Sequence, residues 1–91
     1  NSFGAYLREM REQKGLPLRK VAAQLDVDTS ILSKIERDER NASIEMLPVF
    51  ARVLDLDEKE VQIKFLDFSI NKNYGKLTFL KDGLNEILKS L

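Results

Sequence analysis

Between Leu18 and Arg37 the chain reads LRKVAAQLDVDTSILSKIER, and no other stretch restricts the fold as tightly. Apolar residues at Val21, Leu25, Val27, Leu32 and Ile35 sit on both sides of a break at Asp26. That pattern spells two short helices joined by a tight turn. Two helices joined so closely must pack at a steep angle, which makes demands at particular positions. A small residue is needed where they cross, and Ala22 supplies it. The turn needs a residue that tolerates left-handed backbone. Asp26 is an acceptable choice there, after Gly and Asn. These are the requirements of a helix-turn-helix.

The helical period continues on either side. Ser2 is placed to cap a first helix with Phe3, Leu7 and Met10 on one face and Tyr6 beside them. Gly15 closes it and Pro17 opens the second, which runs to Leu25. Asp28 or Thr29 caps a third, reaching Arg37. Ser43 opens a fourth, striped by Leu47, Phe50, Ala51 and Leu54, with Pro48 near its second turn where a lost hydrogen bond bends the helix. Asp57 caps a fifth, through Val61, Phe65, Phe68 and Ile70. Asn71 to Gly75 reads as a turn. A last helix is expected over Lys76–Ser90, its Leu77, Leu80, Leu84, Ile87 and Leu91 forming a two-heptad seam. Gly83 inside it costs about 1 kcal/mol relative to Ala. The expectation is all-α: a five-helix domain over residues 1–70 and a C-terminal helical dimerisation extension over 71–91.

What the 91 residues lack narrows the chemistry. There is no Cys, so no disulfide, thiolate zinc site or Cys nucleophile. There is no His, which removes imidazole ligation and His general-base catalysis. No Asp/Glu cluster has Ca-loop spacing and no phosphate-binding loop is present. No metal, no cofactor and no catalysis are therefore expected. No apolar run approaches 18 residues and no secretory signal is visible, so the expected location is cytoplasmic, without membrane association. The 15 Lys+Arg balance the 15 Asp+Glu, but unevenly along the chain. Arg8, Arg11, Lys14, Arg19 and Lys20 cluster early, whereas Asp55, Asp57, Glu58 and Glu60 cluster later.

Taken together, Leu7-Arg8, Val21-Ala22, Leu25, Val27, the run Leu32-Ser33-Lys34-Ile35-Glu36 and the segment Leu47–Leu56 resemble the phage-repressor-like (XRE-type) helix-turn-helix regulators of bacteria. The resemblance covers roughly residues 3–66. It is nearest to small standalone regulators such as restriction–modification controller proteins. It implies a repressor-like fold that binds double-stranded operator DNA as a homodimer, with the third helix, about 28–37, in the major groove. Base-reading positions then fall on Thr29, Ser30 and Lys34. Phosphate-contacting positions fall on Arg19, Lys20, Ser33, Arg37, Arg40 and Asn41, and Glu36 is expected to pair internally with Arg8. The sequence departs from the family at Leu18, where a phosphate-touching Gln is usual, and at Asp26 and Asp38, where Gly is usual.

Plainer roles compete at several of these positions. Thr29 is also a good helix cap. Lys34, Arg37, Arg19 and Lys20 also suit a solvated surface, with Lys20 free to pair with Glu. Ile31 fits either the core or a thymine methyl. Phe65, Phe68, Leu77, Leu80, Leu84, Ile87 and Leu91 are assigned to the dimer interface, the alternative being a tail folded back on Phe65, Phe68 and Ile70. The competing function is an antitoxin-type or other protein-interaction module on the same helical scaffold. So short a chain shows no separate effector domain, which favours regulation by concentration over a small molecule.

Overall fold

The structure is a computed structural model and describes residues 2–91. Among these are six helices and no strand: α1 (Phe3–Gln13), α2 (Leu18–Leu25), α3 (Thr29–Glu36), α4 (Leu47–Val53), α5 (Glu58–Tyr74) and α6 (Leu80–Ser90). A single 3-10 turn, Ile44–Met46, leads into α4. None of these helices is long and apolar enough to cross a membrane.

The core draws on α1 to α5. Leu7, Val21, Leu32, Ile35, Phe50, Leu54 and Val61 are its largest fully buried members, and Ala22, on the helix that packs against α3 and α4, is buried as well. The sequence expectations at Ser2 and Asp57 hold. The Ser2 hydroxyl accepts from the Ala5 N–H at 3.1 Å, and the Asp57 carboxylate accepts from the Lys59 N–H at 3.1 Å.

Four of the helices end in one hydrogen-bonding pattern. Gly15, Asp26, Asp38 and Asp55 take left-handed backbone, with φ of 66°, 57°, 61° and 55°. In each case the next residue's N–H returns to a carbonyl five residues back: Leu16 to Arg11, Val27 to Ala22, Glu39 to Lys34 and Leu56 to Ala51. This is the Schellman ending, which satisfies carbonyls that the helix leaves open and normally places an apolar residue after the left-handed one. Leu16, Val27 and Leu56 obey and pack against the core. Glu39 does not.

Asp38 has a second role. Its carboxylate accepts from the Gly4 N–H at 3.1 Å and from the Ser2 hydroxyl, so the turn after α3 also caps α1. The two helices touch closely there: a Cβ on Gly4 would stand 2.2 Å from the Ile35 carbonyl oxygen. Only glycine fits.

Three expectations need correction. Pro48 lies in the first turn of α4, because the 3-10 turn absorbs Ile44–Met46; its missing N–H is one that no helix would use, and no bend is required. The turn expected over Asn71–Gly75 is mostly helix. Asn71 bonds back to the Asp67 carbonyl and carboxylate, at 2.9 and 2.8 Å, and α5 continues to Tyr74 with no left-handed residue. The last helix starts at Leu80 rather than Lys76, since Leu77 is held in a turn by the Tyr74 carbonyl. That helix, α6, buries none of its residues. The radius of gyration, 14.5 Å, accordingly exceeds the roughly 12 Å of a compact chain this long.

Candidate nucleic-acid interface

The inner side of α3 is fixed by Leu32 and Ile35, and its last turn is gripped from α1. The Arg11 guanidinium donates to both oxygens of Glu36, at 2.8 and 3.0 Å, and to the Leu16 carbonyl at 2.8 Å. Both side chains are nearly dry, at 11% and 5% exposure. The hydrogen bond to Glu36 raises the Arg11 pKa above its ordinary value, overcoming the opposing effect of burial. The expected partner, Arg8, is the wrong residue. Arg11 follows buried Leu7 by one helical turn and shares its face. Arg8 points elsewhere and meets Glu12 in solvent at 3.4 Å.

With the inner face fixed, Thr29, Ser30, Lys34 and Arg37 are exposed and Ser33 is half-exposed. Ser30, Lys34 and Arg37 follow 4-3 spacing along one face, with Thr29 and Ser33 beside them. Thr29 is the first helical residue and Asp28 takes the capping position, so capping does not occupy the Thr29 hydroxyl. Ile31 packs against the core. Arg19 and Lys20 stand exposed at the start of α2, and Arg40 and Asn41 in the loop after α3. Among the described residues, no carboxylate pairs with Arg19, Lys20, Lys34 or Arg40. Arg37 differs: it is held by Glu39. Leu18 is half-buried against the core and offers nothing to a phosphate. The Asp38 charge is taken up by the α1 N-terminus, where a negative group is favoured.

The residues assigned to a dimer interface fall into two groups. Phe65 and Phe68 pack inward, Phe65 against Phe3 edge-on at 5.3 Å. Leu77 precedes α6, half-buried Leu80 opens it, Leu84 and Ile87 are exposed along it, and Leu91 is exposed just past its end. The tail does not fold back on the aromatics. A third group escaped the sequence reading. Ile44, Ile63 and Leu66 are exposed and line one shallow groove together with Leu47 and Phe65. The signal was the spacing Ile63, Leu66, Ile70, a second apolar row on α5 beside Val61, Phe65 and Phe68.

An α2–α3 pair in contact across the left-handed turn at Asp26, with a polar and basic outer face on its second helix, defines a helix-turn-helix domain. Residues 2–62 match the family model described as "Helix-turn-helix domain", and the chain belongs to that family. It is a DNA-binding domain of the transcription-regulating kind. Among solved structures it is similar to the crystal structure of the clp gene regulator ClgR from C. glutamicum. The TM-score is 0.61 at 32% identity, over 71% of this chain and 84% of that one. No curated protein matches the chain.

Proposed function

We propose that the protein is a non-catalytic, homodimeric transcriptional regulator that lays α3 in the major groove of operator DNA. Thr29, Ser30 and Lys34 face base edges, where a lysine donates to guanine and the hydroxyls read either polarity. Arg19, Lys20, Ser33, Arg37, Arg40 and Asn41 lie against phosphates and fix the register. The observation that carries this reading is the outer face of α3, solvent-facing and cationic on a rigidly held helix. Two copies pair through the exposed apolar rows of α5 and α6, giving one recognition helix per half-site. It needs no cofactor or small-molecule effector, and occupancy follows protein concentration.

Selection of bound duplexes from a random pool tests the reading. A recovered two-fold motif with half-sites about one helical turn apart is expected, together with a steep fall in affinity as salt rises. Absence of duplex binding even at low salt overturns it. The exposed α6 row also favours a second reading, in which a protein partner of the antitoxin–toxin kind covers that helix.

A further inference from the structure

Of the cations assigned to phosphate contact, Arg37 alone has an acidic partner among the described residues, and that partner is unusually well placed. Its Nε donates to Glu39 Oε2 at 2.9 Å and its Nη2 to Oε1 at 3.3 Å, while Nη1 donates to the Ser33 hydroxyl at 3.0 Å. The carboxylate therefore fills the guanidinium fork as a phosphate would. Glu39 is also held from its backbone. Its N–H donates to the Lys34 carbonyl at 2.8 Å, directly after the left-handed Asp38. It occupies the position that Leu16, Val27 and Leu56 fill with apolar side chains in the other three endings. A carboxylate replaces the usual apolar contact only at the end of the helix proposed to enter DNA.

Resting on the DNA-binding reading above, we propose that Glu39 is an affinity-limiting residue: it occupies Arg37 in the free protein and repels the phosphate that takes its place. The pair is half-exposed, 52% and 54%, and hence weak enough to exchange. When a phosphate reaches Arg37, the Glu39 charge remains in the same loop, at a separation taken as about 5 Å. Like charges at that distance in water weaken binding about fourfold for each copy engaged. The effect is independent of base sequence, so it lowers non-specific and specific affinity alike.

The test uses the full chain and a random-sequence duplex, with affinity measured over a range of salt for wild type, Glu39→Gln, Arg37→Ala and the double variant. Glu39→Gln is expected to tighten binding about fourfold per copy at low salt, a gain that shrinks as salt screens the repulsion. In the Arg37→Ala background the gain should be smaller, because the Glu39–phosphate repulsion remains but no ion pair has to break. Unchanged or weaker binding by Glu39→Gln, with an unchanged melting temperature, overturns the proposal. So does a gain that is undiminished without Arg37. If wild type binds no duplex, the DNA-binding reading itself fails and takes this inference with it.

Discussion

Arg11→Met removes the guanidinium but keeps most of the apolar stem, so it isolates the charge at the α1–α3 junction. Glu36 is then left 7% exposed with neither of its two donors. Breaking a buried ion pair by removing one partner costs about 3–5 kcal/mol, because the remaining charge stays desolvated. A domain of this size has a total stability of roughly 5–14 kcal/mol, so the loss is a large fraction of the whole. At about 4–8 °C per kcal/mol for a chain this short, the melting temperature should fall by roughly 12–40 °C. The double variant Arg11→Met/Glu36→Leu leaves no buried charge and should recover at least half of that loss. Urea unfolding followed by circular dichroism on wild type, both singles and the double gives the coupling between the two positions. An Arg11→Met penalty below about 1 kcal/mol would place the pair in the class of solvated surface bridges. Additive costs in the double variant would refute the argument just as plainly.

The left-handed aspartates make a paired prediction. Asp26→Gly and Asp55→Gly relieve backbone strain and should each stabilise the fold by about 0.5–1 kcal/mol, whereas Asp38→Gly loses the bonds to Ser2 and Gly4 and should destabilise it by about 1–3 kcal/mol; thermal melts decide the signs. Lys34→Ala should weaken specific DNA binding by about 1–3 kcal/mol and relax preference at one base pair per half-site, while Arg40→Ala should weaken all sequences alike and flatten the salt slope by about one unit. Selection from random duplexes compared between variants separates the two. A chain ending at Gly75 keeps α1–α5 and should bind a single half-site while losing most of its dimer mass in sedimentation; an intact chain that stays monomeric at tens of micromolar would refute the pairing of α5 and α6.

Local chemistry was readable from the sequence wherever one residue type answers one backbone demand. Ser2 and Asp57 cap because a short oxygen-bearing side chain before an apolar period can reach a free N–H. Asp26 turns left-handed where the periodicity of α2 stops; Asp38 was marked only by the family resemblance, and Asp55, in the same conformation, was not marked at all. The core members Val21, Ala22, Leu32 and Ile35 follow from spacing alone. Contacts between distant segments were not readable. Nothing local marks Asp38 as the cap of a helix more than thirty residues earlier, or Gly4 as a point of backbone contact with α3. Choosing Arg11 over Arg8 required knowing which face of α1 the core would claim, although counting one turn from Leu7 would have found it. At Asn71 a residue that favours turns instead bonded back to Asp67 and kept α5 helical, a competition that propensity does not resolve.

None of the eleven residues of α6 is buried, and an isolated helix below about 12–15 residues is marginal in water. Gly83 in its second turn weakens it further. Its order is thus conditional on something docking against it. In dilute solution its amide hydrogens should exchange nearly as fast as those of an unstructured peptide, while those of the buried α1–α4 scaffold persist. With rising concentration the tail gains protection only as it acquires a neighbour, which ties its folding to mass action. Under the proposed pairing of two copies through α6, the regulator would read its own abundance through the ordering of a peptide segment.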